Sequence, residues 1–65
     1  MTKRLLRLET VENYIGLKKS KIYDMISRGE FPRPVKLGSC NTWLESEIEH
    51  WIAERVAERE AEAVI

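Results

Sequence analysis

Three lysines and an arginine, Lys18, Lys19, Lys21 and Arg28, fall within eleven residues and are the side chains best suited to chemistry in this chain. That chemistry is charge neutralisation rather than bond making. Lysine offers phosphate a compact point charge, whereas discrimination between bases usually takes bidentate Arg, Asn or Gln contacts with their edges. Of those types the segment holds only Arg28, so on a nucleic acid this segment would read few bases and lean on shape. Ser20 lies among the lysines, either to hydrogen-bond a phosphate or base edge or to cap a helix. Tyr23 divides between core packing and a phosphate contact through its hydroxyl. A second set, Lys36, Ser39, Asn41 and Thr42, has short polar groups able to hold phosphates from a hairpin. Arg33, between Pro32 and Pro34, points in a fixed direction and is a further phosphate candidate. The plainer readings are a solvated basic helix and an exposed hairpin.

Nothing comparable supports catalysis. No nucleophile, base or metal-ligand cluster stands at a workable spacing, and His50 has no neighbours at zinc spacing. An enzyme, a cofactor and a small-molecule substrate are therefore not expected. Cys40 is the single cysteine, so no internal disulfide can form and a reducing cytoplasm is the natural compartment. An intermolecular disulfide in oxidising buffer would carry no physiological meaning. No apolar run has the length of a membrane span, and the start MTKRLLRLE lacks an apolar stretch of signal-peptide length.

Net charge is zero, but it is unevenly spread. Residues 1–44 hold nine Lys/Arg and four acids, a balance of +5, while residues 45–65 hold two Arg and seven Glu, a balance of −5. Such segregation gives one face for phosphates and one that avoids them; uneven solvated helices are the alternative.

The elements that must position these groups follow from periodicity. Arg4 to Leu8 alternates, as an extended arm or first strand with Leu6 and Leu8 inward. Thr10 is the expected N-cap of a first helix reaching about Ile15, and Gly16 marks a tight turn. A second helix covers roughly Lys19 to Arg28, with Gly29 as its C-cap, Ile22 and Ile26 inward, and Tyr23 and Met25 flanking them. Phe31-Pro32-Arg33-Pro34 cannot be helical and forms a stiff extended link. Val35-Lys36-Leu37 and Thr42-Trp43-Leu44 are β-prone triplets around a Gly38–Asn41 loop, a small hairpin. A third helix begins near Glu45-Ser46, where Ser46 and Glu49 have capping-box spacing, and Ile48, Trp51, Ile52 and Val56 form its apolar stripe. Trp43 and Trp51 are expected to anchor the core against the first two helices. Two short helices joined by a glycine turn, followed by a hairpin, make a mainly α fold with three helices, a winged helix-turn-helix. The domain is expected over 4–56, with 57–65 a polar helical extension or frayed tail. Lys3 and Arg4 read better as a frayed terminus than as a DNA-contacting arm.

At this point the chain resembles the AlpA family of phage and prophage regulators, relatives of the excisionases and of MerR-like winged helix-turn-helix proteins. The residues that carry the likeness are Arg4-Leu5-Leu6-Arg7-Leu8, Val11-Glu12, Ile15-Gly16-Leu17, Ser20, Ile22-Tyr23, Gly29-Glu30-Phe31-Pro32 and Pro34-Val35-Lys36-Leu37-Gly38. Trp43-Leu44-Glu45-Ser46-Glu47-Ile48, Trp51-Ile52 and Arg55 complete it. The resemblance covers residues 4–55. It implies sequence-specific binding to double-stranded DNA, with a role in transcriptional activation or as an excisionase that favours excision beside an integrase attachment site. An integrase and further copies of the protein on adjacent sites are the partners such a role would bring. Lys18 stands where the family often has a Ser N-cap, so the second helix either starts late, capped by Ser20, or is weakly capped. The loop also lacks the arginine often found near the wing tip, which places affinity on the second helix. The alternative is a protein-interaction module that binds an integrase, polymerase or repressor through its acidic C-terminal helix. In either case the protein is expected in the cytoplasm, on the nucleoid when DNA-bound.

Overall fold

A computed structural model of the protein describes residues 3–63. Val64 and Ile65, the end of the expected polar extension, lie outside the described residues. The element order is β1 (Leu5–Arg7), α1 (Leu8–Ile15), α2 (Lys19–Ser27), β2 (Val35–Leu37), β3 (Cys40–Leu44) and α3 (Glu45–Ala63). The fold is a mainly helical winged helix-turn-helix, as the patterning indicates.

The sheet is larger than the expected hairpin. β1 pairs antiparallel with β3, matching Leu6 with Trp43 and Arg7 with Thr42, and the strand order β1-β3-β2 makes β3 central. The Arg4 carbonyl accepts the Glu45 amide at 2.8 Å, which extends the pairing to the start of α3. Leu6 points inward as expected, but Leu8 opens α1 instead of ending the strand. Arg7, still extended, takes the N-cap position without a side-chain cap, so Thr10 already lies in the first turn and cannot be the cap.

α1 buries Val11 and packs Leu8 and Ile15 against the core, an i, i+3, i+7 face. It ends at Gly16, whose φ of 73° is left-handed and whose amide closes on the Glu12 carbonyl at 2.8 Å. A side chain there would be strained, which is why glycine ends the helix. α2 stops one residue earlier than expected. Arg28 is its C-cap, and the Gly29 and Glu30 amides reach back to the carbonyls of Ile26 and Met25, the two bonds of a Schellman ending. Its inner face also differs: Ile22 and Met25 are buried, while Ile26 and Tyr23 are half-buried.

Two indoles hold the proline-rich link. The Trp43 Nε1 group donates to the Pro32 carbonyl at 2.9 Å and the Trp51 Nε1 group to the Glu30 carbonyl at 2.8 Å. Carbonyls that no regular element could pair are thereby satisfied. Phe31 is buried between the two rings, edge-on to both. Trp43 is the fully buried anchor. Enclosing an indole of that size stabilises the fold by roughly 5 kcal/mol, a large share for a domain this small. Trp51 is only half-buried and packs on Phe31 and the link, a correction to its expected place against the first two helices.

The hairpin loop is two residues, not four. Leu37 pairs with Cys40 and Lys36 with Asn41, leaving Gly38 and Ser39 as the turn. Gly38 has φ 63° and Ser39 does not share that sign, the pattern of a type II′ turn with glycine first. α3 begins at Glu45, so Ser46 stands inside the helix and the capping-box assignment fails. Ile48 is fully buried and Ile52 packs beside it, but Val56 is exposed, so the apolar stripe ends at Ile52.

Candidate nucleic-acid interface

Lys18 is the N-cap residue of α2 and its backbone is extended, with φ −88° and ψ 163°. Lys19, Ser20 and Lys21 form the first turn, and all four residues are exposed. This is an unusual way to begin a helix. The N-terminus already carries partial positive charge, and each lysine there opposes it by about 0.3–1 kcal/mol. α2 has no acidic residue in its first turn and no side-chain cap of its own. Ser20 occupies the second helical position and is exposed, so its expected role as cap is not met.

The acceptor that the start of α2 needs comes from α1. Glu12 Oε2 accepts the Lys19 amide at 2.8 Å. Among the described residues neither Glu12 nor any of the three lysines takes part in an ion pair, so the ammonium groups stay unneutralised beside a helix start that is nonetheless held. Arg28 is different. Its Nη2 lies 2.6 Å from Asp24 Oδ2 and 3.8 Å from Glu30 Oε1, so its charge is locally cancelled. α2 thus has an open cationic end and a closed one.

The strand register sorts the wing candidates. Residues directly opposite across antiparallel strands share a face, and faces alternate along each strand. Asn41 donates from Nδ2 to the Tyr23 hydroxyl at 2.8 Å, which places the Asn41 face against α2. Lys36, paired with Asn41, shares that face and is exposed. Tyr23 also packs on Trp43, ring centroids 6.4 Å apart, so its ring joins the core while its hydroxyl meets the wing. Ser39 is exposed at the turn and Arg33 is exposed on the link.

Thr42 does not belong with them. It is 4% exposed, and its hydroxyl donates to the Val35 carbonyl at 2.8 Å. Because β1 pairs on its other side, β3 is a central strand, and a position that a two-stranded hairpin would leave open is covered. Arg7, opposite Thr42, is an exposed cation missing from the sequence-based set, and it lies on the sheet face away from Asn41. The strand alternation showed that Arg7 points outward, but only the pairing with β3 shows beside what.

Residues 4–56 match the family model described as prophage CP4-57 regulatory protein (AlpA). The uncharacterised protein ORF88 of Enterobacteria phage P4 is 47% identical over 57 residues, covering 86% of this chain and 65% of that protein. The chain therefore spans slightly under two thirds of that relative's length. No solved structure matches it. No helix among the described residues is long and apolar enough to cross a membrane. With a helix-turn-helix built on these residues and a family match over most of its length, the chain belongs to the AlpA family of prophage regulatory proteins.

Proposed function

We propose that the protein binds double-stranded DNA sequence-specifically, as a prophage or mobile-element excisionase or an AlpA-type transcriptional regulator. In this reading α2 enters the major groove and the wing lies on the adjacent backbone. The observation that carries it is the start of α2, where Lys18, Lys19 and Lys21 are exposed and unpaired among the described residues. Three phosphates engaged there would add about 2.7 to the salt slope of binding. Tyr23, bonded to Asn41, and Lys36 on the Asn41 face join the wing to α2, and the exposed Ser20, Ser39 and Arg33 are further contacts in this reading. Thr42 is left out because it is buried. Excision and activation both begin with this contact, and further copies on adjacent sites, or an integrase beside them, are partners consistent with either. Binding would take place on the nucleoid in the bacterial cytoplasm, without a cofactor.

Selection from a random double-stranded pool at near-physiological salt tests the reading. An enriched motif bound at least ~10³-fold tighter than a scrambled control is the expected result. A motif that falls beside an integrase attachment site favours excision, and one at a promoter favours activation. Weak, salt-labile binding with no enrichment would reject specific recognition. It would favour instead a partner-binding module, a reading that rests on α3 continuing to Ala63 with residues 53–62 exposed and five glutamates between Glu49 and Glu62.

A further inference from the structure

We infer that Glu12 is the positioning residue of the recognition helix, setting where α2 begins and hence where its lysines stand. The inference rests on the DNA reading for its consequence but on geometry for its substance. Glu12 is committed on both sides of the turn. Its main-chain carbonyl accepts the Gly16 amide at 2.8 Å and closes α1, while its side-chain Oε2 accepts the Lys19 amide at 2.8 Å and opens α2. One residue therefore ties the end of the first helix to the start of the second across seven positions. The side chain is half-buried, which restricts its movement.

α2 has particular need of this. Lys18 offers no side-chain acceptor at the cap position, and the first turn contains two lysines and no acid. A carboxylate at the cap position itself would supply the acceptor and the charge, but it would stand at i+3 spacing from Lys21 and compete for its ammonium group. Glu12 supplies both from outside the helix and bonds to backbone instead. The first-turn bonds it supports are those from the Lys21 and Ile22 amides to the Lys18 carbonyl, both 3.1 Å. They anchor the segment that carries Lys18, Lys19 and Lys21. Glu12 keeps the helix start ordered while leaving its cations available.

The two properties of the carboxylate, acceptor and charge, separate in Glu12→Gln and Glu12→Ala. Glutamine keeps an oxygen that can accept the Lys19 amide; alanine removes it. Amide hydrogen exchange at Lys21 and Ile22, measured in folded protein, is expected to accelerate roughly fivefold in E12A, the worth of a lost cap, and to stay within about twofold in E12Q. The DNA readout is the ratio of affinities for the selected and scrambled sequences, taken where circular dichroism shows each variant folded. E12A is expected to lower that ratio several-fold, whereas E12Q keeps it and binds both sequences more tightly because a negative charge is gone. Unchanged exchange in E12A would overturn the inference whatever the DNA result. So would faster exchange with an unchanged ratio, since Glu12 would then be a cap and nothing more. Failure of the wild-type protein to prefer any sequence would instead overturn the DNA reading, and the exchange rates would still decide whether Glu12 sets the helix start.

Discussion

In α3, Arg55 lies 3.0 Å from Glu58, Arg59 3.9 Å from Glu60, and His50 3.7 Å from Glu54. In the opening of α2, Lys18, Lys19 and Lys21 make no ion pair among the described residues, and the one nearby carboxylate bonded there is spent on a backbone amide. Pairs as exposed as those in α3 contribute at most about 1 kcal/mol each, so their value to stability is slight. Their effect on the surface is larger. Arg55, which also lies 5.5 Å above the Trp51 ring, has its charge answered locally, while the lysines of α2 have no such answer among the described residues. The proposed DNA surface rests on this contrast, on cations without a partner rather than on charge density alone.

The most severe test of that contrast is Lys18→Ala, Lys19→Ala and Lys21→Ala together, set beside Arg55→Ala with Arg59→Ala. Removing the lysines is expected to reduce the salt slope of DNA binding by roughly 2–3 and the affinity by at least about 10²-fold. The arginine pair is expected to leave both unchanged. Stability should move the other way. Lysines oppose the dipole at a helix start, so the triple variant should melt at a higher temperature while binding DNA more weakly. That divergence separates a functional loss from unfolding. An undiminished slope in the triple variant, or an equal loss in the arginine variant, would erase the distinction between the helices.

Arg28 sharpens the contrast within α2, because it is the cation that looks available in sequence and is paired in the structure. With Asp24 and Glu30 both beside it, Arg28→Ala should change the salt slope by less than half of what Lys21→Ala does, itself about 0.9. Asp24→Asn should act in the opposite sense, leaving the guanidinium only its 3.8 Å contact with Glu30 and steepening the slope by up to about one unit. Titration of the three variants across a salt series measures this directly. If Arg28→Ala costs as much as Lys21→Ala, the guanidinium leaves Asp24 when DNA binds, and pairing in the free protein does not predict contact.

What could be read from the residues alone divides along a physical line. The lysine cluster, the Gly16 turn, the end of the second helix near Gly29 and the buried Trp43 are local, written in spacing and in residues with special backbone preferences. Features that depend on pairing between distant segments were not legible. β1 joins β3 across more than thirty residues, and that contact turned a hairpin strand into a central one and removed Thr42 from the surface. The cap on α2 could not be found by inspecting its own first turn, because the acceptor sits on α1. Arg28 was missed as a paired residue although Asp24 lies at i−4, a spacing that does signal such a pair.

The smallest effect concerns the tie between the two charged halves. Tyr14 on α1 donates its hydroxyl hydrogen to Glu49 Oε2 on α3, at 3.4 Å. Desolvation first, then the charge of Glu49 and the hydrogen bond to it, with Glu45 adding, raise its pKa above the ordinary 10.0; Arg4 opposes them. A raised value means the folded protein holds the phenol proton more tightly than the unfolded chain does. The stability this gives is complete below the ordinary pKa and is lost as pH climbs through the raised one. Melting temperature followed from about pH 8 to about pH 11 in wild type and Tyr14→Phe isolates the group, since the two proteins differ by the phenol hydroxyl alone. The wild-type curve is expected to fall the more steeply above about pH 10, by a small margin because Tyr14 is substantially exposed. Parallel curves would mean that the Tyr14–Glu49 contact does not couple the basic helices to the acidic one. The ties left to the acidic helix among the described residues would be Ile48, Ile52 and Trp51, the backbone bond from Glu45 to Arg4 and the Arg4–Glu45 ion pair.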